Sequence, residues 1–261
     1  ATGMHMMKRY GHTVQEISKC NFTSVHKFLN QRAGDTMDVI LAKTITGLSD
    51  FIHEERPDLI VIHGDRVETL AGAVVGSLNN VLVAHIEGGE VSGTIDELIR
   101  HSTTKLSHHH FVANQEAKDR LMQMGEKKDS IAVIGSPDLD IMKSNDLPLL
   151  ATVKERYQIP FFSYGIFMFH PVTTELEALE CQIDNIIRAI NNSNKNFVVI
   201  YPNNDIGTEI ILKSLEGLKM DSRYRVFPSL RFEYFLTLLK NADFIIGNSS
   251  AGMREAPFYG V

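Results

Sequence analysis

The 261-residue chain is 43% hydrophobic and 22% charged, the composition of a well-cored globular protein, and no apolar run approaches the roughly 20 residues of a membrane helix. A formal charge of -6 argues against recognition of nucleic acid through its phosphates. Cys20 and Cys181 lie far apart with no metal or redox spacing, so a reduced, cytoplasmic protein is expected.

From Asp35 to His53 the residues Met37, Ile40, Leu41, Ile45, Leu48 and Ile52 recur at helical steps, and Pro57 stops the pattern. Leu59 to Ile62 is then a short β-branched strand. The spacing predicts a helix from Val67 to Ser77, a strand from Val81 to Ile86, and a glycine-rich loop from Glu87 to Ile95. A helix from Asp96 to Leu106, a strand at Phe111-Val112, a helix from Gln115 to Met124 and a strand from Ile131 to Ile134 follow. Gly135 to Ser163 carries three prolines and little periodicity, and is the predicted domain junction. Beyond it come a strand from Gly165 to Phe169, a helix from Glu175 to Ile190 and a strand from Phe197 to Tyr201. A helix from Gly207 to Leu218, a strand from Tyr224 to Phe227, a helix from Phe232 to Lys240, a strand from Phe244 to Ile246 and a helix from about Ser250 complete the series. Strand alternating with helix at this pace predicts an α/β protein of parallel sheets. Two Rossmann-like domains facing across a cleft, residues 1–160 and 161–261, are expected. The opening Ala1-Thr2-Gly3 and closing Tyr259-Gly260-Val261 read as ends cut through a fold, so a fragment is expected.

Open α/β sheets bind ligands outside the carboxyl ends of their strands. Those ends hold Asp65-Arg66, Glu87-Gly88-Gly89-Glu90 and Gly135-Ser136-Pro137-Asp138 in the first half. In the second half they hold His170-Pro171, Asn203-Asn204-Asp205 and Gly247-Asn248-Ser249-Ser250. Asp65 and Asp96 each admit two readings, helix cap or reacting carboxylate; Glu87, between Ile86 and two glycines, has no evident capping duty. The run Gly247 to Gly252 between strand and helix suits a diphosphate on free backbone N–H groups, with Glu255 able to accept from ribose hydroxyls; an ordinary N-cap is the alternative. His170 is expected to project from its strand end into the cleft, a buried, hydrogen-bonded histidine being the alternative, and His108-His109-His110 is read as structural.

Ile62-His63-Gly64-Asp65-Arg66, His85-Ile86-Glu87-Gly88-Gly89-Glu90, Ile99-Arg100-His101, His170-Pro171-Val172-Thr173-Thr174 and Gly247-Asn248-Ser249-Ser250 together resemble the UDP-N-acetylglucosamine 2-epimerase family. The likeness runs along the whole chain. Gly88-Gly89-Glu90-Val91 departs from the Ala-Gly-Leu-Arg of the non-hydrolysing branch and resembles the hydrolysing branch of sialic-acid-capsule bacteria. The resemblance implies a two-domain glycosyltransferase-B fold and conversion of UDP-N-acetylglucosamine to N-acetylmannosamine and UDP, a reaction of which no step needs a metal or redox cofactor. It assigns catalysis to Asp65, Glu87, Asp96 and His170, and substrate or UDP binding to Arg66, Asn203, Asp205, Ser249, Ser250 and Glu255. It implies a homo-oligomer, and a first strand with its phosphate loop and a further arginine lying outside these residues. A hydrolysing epimerase of a bacillosamine-type UDP-sugar shares these motifs. A glycosyltransferase or UDP-sugar-binding protein shares the architecture but does not need three acids on the first-half rim.

Overall fold

In the computed structural model, which describes residues 1–32 and 34–261, the chain divides into two compact units. One is residues 26–140; the other is residues 3–25 together with 141–261. The division falls at Asp140–Ile141, not at residue 160, because hydrogen bonds tie the intervening stretch to later residues. Thr237 Oγ1 donates to the Pro148 carbonyl at 2.9 Å, and Tyr259 OH to the Met142 carbonyl at 3.1 Å. The N-terminal segment, with its short helix α1 (Val14–Lys19), joins that unit through the Arg9 guanidinium on both oxygens of Glu209 and the burial of Tyr10.

The unit of residues 26–140 contains α2 (Met37–Glu55), β1 (Leu59–His63), α3 (Val67–Leu78), β2 (Leu82–Ile86) and α4 (Ile95–Lys105). Then follow β3 (His109–Val112), α5 (Gln115–Gln123) and β4 (Ile131–Val133), with α6 (Pro137–Lys143) running across its end. Its sheet is parallel throughout, in the order β1-β2-β3-β4. Pro57 bars continuation of α2, whose C-cap Arg56 turns left-handed at φ 48°. Helix α3 buries Thr69, Ala71, Gly72, Ala73, Val75 and Gly76. These small side chains let it lie close on the sheet, where Ala73 packs with Ile62 and Val83. Burying a valine such as Val83 contributes roughly 1.5–3 kcal/mol.

The other unit holds α7 (Leu150–Arg156), β5 (Gly165–Met168), α8 (Leu179–Asn192), β6 (Phe197–Ile200) and α9 (Thr208–Glu216). It continues with β7 (Tyr224–Phe227), α10 (Phe232–Lys240), β8 (Phe244–Gly247) and α11 (Glu255–Tyr259). Its parallel strands lie in the order β7-β6-β5-β8, so the chain reverses direction across the sheet at β5. Phe167, Phe197, Ile183, Ile211, Leu215 and Tyr224 form its core. The weakly periodic stretch contains two seven-residue helices, α6 and α7, too short to display a helical repeat. The helix expected from Glu175 opens as a 3-10 turn, Leu176–Ala178, before α8.

A second difference bears on the site. No α-helix begins at Ser250: the chain makes a 3-10 turn, Ser250–Gly252, and α11 starts only at Glu255 and is five residues long. Six small residues in a row supply too little helix propensity to carry a regular helix directly from the strand. The expected helix-dipole contribution to anion binding at Ser250 is therefore withdrawn.

Candidate functional site

Three strand ends of the first unit meet on one carboxylate. In the register of β1 and β2, His63 stands beside Ile86, and Gly64 N–H donates to the Ile86 carbonyl at 3.0 Å. Glu87 follows β2, its N–H donating to the Phe111 carbonyl at 2.8 Å beyond the end of the β2–β3 pairing. The residue is buried, 5% exposed. Oε1 accepts from the Ser136 hydroxyl at 2.6 Å, and Oε2 lies 2.8 Å from His63 Nε2. The Glu87 backbone is left-handed, φ 63°. For a residue with a Cβ this costs about 1–2 kcal/mol, and such strain persists where surrounding contacts over-determine the geometry. Sequence motifs included His63 and Ser136, but nothing in their spacing indicated that both would hold Glu87.

Asp65, just past β1, accepts from the Arg100 guanidinium. Arg100 is itself buried and also donates to the Glu90 carbonyl at 2.9 Å. It stands one turn along α4 from Asp96, so the two share a helix face. Neither acid is an N-cap. Arg66 holds that position on α3 and Thr94 on α4, and the loop N–H groups of Ser92 and Gly93 donate instead to Glu97, at 2.7 and 2.9 Å. The capping alternative is thereby removed for both. Arg66 is exposed, and the cation on Asp65 is Arg100. Arg100, five residues past the glycine-rich loop and inside the Ile99-Arg100-His101 motif, was the available signal for it.

Beneath this edge lies His85, fully buried, its Nε2 on the Gly64 carbonyl at 2.8 Å and its Nδ1 3.2 Å from Thr104 Oγ1. A carbonyl only accepts, so the proton is on Nε2 and Nδ1 takes the threonine hydroxyl. Burial pushes its pKa down to about 4, the bond to Gly64 opposes this, and His110, Arg100 and His63 reinforce it. His85 is thus a neutral strut under Gly64 and Asp65. Below about pH 6.5 the unfolded chain protonates this ring while the folded chain does not, so its contribution falls as pH drops toward 4. We expect about 2 kcal/mol of stability lost between about pH 7 and about pH 5 from this residue. Urea unfolding should show a shallower loss in His85→Gln, which keeps a donor for Gly64; equal slopes refute the assignment.

In the His108–His110 run, His108 Nδ1 accepts from Val83 N–H at 3.1 Å, and buried His110 Nε2 lies 3.3 Å from Glu126 Oε2. These contacts fit the structural reading. Among the described residues no group of three or more His, Cys, Asp or Glu side chains is arranged to hold a metal ion.

In the second unit the reversal at β5 places His170 and Asn248 together, the crevice position at which open sheets accept ligands. His170 N–H donates to Asn248 Oδ1 at 2.7 Å, and Asn248 Nδ2 returns to the His170 carbonyl at 2.8 Å. Asn203 N–H donates to His170 Nδ1 at 3.0 Å. A backbone amide only donates, so Nδ1 is unprotonated and the neutral ring carries its proton on Nε2. Asn203 Nδ2 donates to Asp205 Oδ2 at 2.5 Å, which fixes that loop beside the imidazole. Ser249 caps the following turn by accepting from Ala251 N–H at 3.3 Å, Ser250 is exposed, and half-buried Glu255 heads α11. Asn248, which positions His170, is the residue here whose role the sequence did not indicate.

A family model described as UDP-N-acetylglucosamine 2-epimerase matches residues 1–261. The UDP-N-acetylglucosamine 2-epimerase of Neisseria meningitidis serogroup B is 55% identical over 260 residues, covering 100% of this chain and 69% of that protein. The UDP-N,N'-diacetylbacillosamine 2-epimerase (hydrolyzing) of Legionella pneumophila is 33% identical over 259 residues, covering 98% and 69%. The crystal structure of Methanocaldococcus jannaschii UDP-GlcNAc 2-epimerase in complex with UDP-GlcNAc and UDP superposes with a TM-score of 0.74 at 22% identity, over 94% of this chain and 69% of that one. The two-domain, glycosyltransferase-B-type α/β fold and the match along the whole sequence agree: the chain belongs to the UDP-N-acetylglucosamine 2-epimerase family.

Proposed function

We propose that this protein is a hydrolysing 2-epimerase that converts UDP-N-acetylglucosamine to N-acetylmannosamine and UDP, in the cytoplasm, as a homo-oligomer, for sialic acid synthesis. The observation that carries the reading is Glu87, a buried carboxylate held in a strained backbone between Ser136 and His63, at the strand edge that also bears Asp65.

The C2 hydrogen of the sugar is not adjacent to a carbonyl and is too weak an acid for direct removal. Cleavage of C1–O to UDP makes C1 oxocarbenium-like and acidifies C2–H. The C2–H electron pair then forms the C1=C2 bond of 2-acetamidoglucal while a carboxylate takes the proton. Protonation of C2 from the opposite face, with water adding at C1, gives N-acetylmannosamine. Glu87, Asp65 and Asp96 are assigned the proton transfers, with Arg100 orienting Asp65. In the other unit, His170 Nε2–H is assigned to donate to the substrate, as its Nδ1 is occupied. Arg66, Asn203, Asp205, Ser249, Ser250 and Glu255 are assigned to the sugar nucleotide, the serines through hydroxyl and backbone N–H donors rather than a helix end.

The 33% identical Legionella relative favours one other reading, a bacillosamine-type UDP-sugar as substrate. Proton NMR in D₂O on each UDP-sugar tests both. The expected result is free N-acetylmannosamine carrying deuterium at C2, together with UDP. Release of UDP-N-acetylmannosamine would exclude hydrolysis, and turnover of the diacetylated sugar alone would move the assignment to that substrate.

A further inference from the structure

Glu87 is 5% exposed, so whichever way its proton moves during turnover, the carboxyl cannot exchange it directly with bulk water. Its two oxygens differ. Oε1 is occupied by the Ser136 hydroxyl at 2.6 Å, and a hydroxyl that donates there has little basicity with which to carry a proton onward. Oε2 faces His63 Nε2 at 2.8 Å, and the His63 side chain is 47% exposed. An imidazole can accept a proton on one nitrogen and release one from the other, with a pKa near the working pH.

We propose that His63 is the proton relay between Glu87 and solvent. This rests on the reading of Glu87 as an acid–base group. When Glu87 has taken a proton, it passes from Oε2 to His63 Nε2, the carboxylate re-forms, and the imidazolium releases its other N–H proton to water. When Glu87 has given one up, the same path runs in reverse. No electrons are transferred and no co-reactant but water is consumed. Ser136, on the far oxygen, keeps Glu87 turned so that Oε2 remains the exchanging atom. His63 sits at the last residue of β1, next to Gly64 and Asp65, so the relay opens at the same sheet edge as the other acids.

His63→Gln and His63→Asn separate relay from positioning. A glutamine amide can replace the Nε2 hydrogen bond to Glu87 but cannot transfer protons, whereas asparagine is too short to reach. Both variants are expected to lose about ten- to hundred-fold in kcat for UDP-N-acetylglucosamine with KM changed less than about three-fold, at or below the ~10²–10⁴-fold of a group that transfers the substrate proton itself. Free imidazole should restore part of kcat in both, and leave wild type and Glu87→Gln unchanged. Wild-type kcat in His63→Gln would reduce His63 to a positioning residue and overturn the relay, as would a loss in both variants that imidazole does not restore. Near-wild-type activity of Glu87→Gln would instead overturn the acid–base assignment on which the relay depends. Thermal unfolding of each variant confirms that comparisons are made between folded proteins.

Discussion

Glu87→Gln should lower turnover by roughly 10²–10⁴-fold while UDP affinity stays within a few-fold of wild type. The amide is isosteric and can still accept from Ser136, so the substitution removes the proton-transfer capacity and leaves packing nearly intact. Asp65→Asn and Asp96→Asn should each fall by a similar order for the same reason, with one difference. Asp65 accepts from the buried Arg100 guanidinium, so its neutralisation also weakens a charge-assisted bond. Asp65→Asn should therefore lose stability as well as rate. UDP release under saturating substrate, UDP calorimetry and urea unfolding measure the three quantities. Near-wild-type turnover in all three variants would remove the elimination mechanism from this site.

The alternating strands and helices were legible because most strands are short runs of β-branched and aromatic residues and most longer helices have an apolar stripe; β7 and α10 fall on the residues read from the sequence. Asp65 and Glu87 stood out in the sequence as polar residues at strand ends, and the strands do end just before them. What the sequence did not reveal is which groups hold them, because those contacts span long separations. Ser136 is 49 residues from Glu87, Arg100 is 35 from Asp65, and Asn248 is 78 from His170. Only the register of the parallel sheets brings such pairs together. The reading at the end of β8 failed for a local reason: a polar, small-residue turn resembles a helix start, but its low helix propensity delays the regular helix to Glu255.

That turn gives the second large effect. Gly247 closes β8 opposite Met168 of β5 at φ +138°, a backbone region that residues with a Cβ scarcely enter. A Cβ there would lie 1.7 Å from the Met168 carbonyl oxygen and 2.6 Å from its carbon, and both are backbone atoms that no rotamer change can move. Gly247→Ala must therefore push the end of β8 away from β5. The Asn248 N–H bond to the same carbonyl, at 3.2 Å, breaks with it, and so does the paired clamp of Asn248 on His170. The backbone conformation costs about 1–3 kcal/mol and the overpacking about another 1–3 kcal/mol. For a chain of this length a loss of about 3 kcal/mol or more lowers Tm by roughly 6–12 °C. Gly64→Ala is the control: it too has a positive φ, +81°, but nothing lies within 4 Å of its added Cβ, so only the backbone cost of about 1–2 kcal/mol applies. Urea unfolding should rank Gly247→Ala well below Gly64→Ala, and UDP calorimetry should show nucleotide binding lost in the first and kept in the second. Equal stabilities would mean that β8 can leave β5 freely at this point, and that Asn248 does not depend on Gly247 to hold His170.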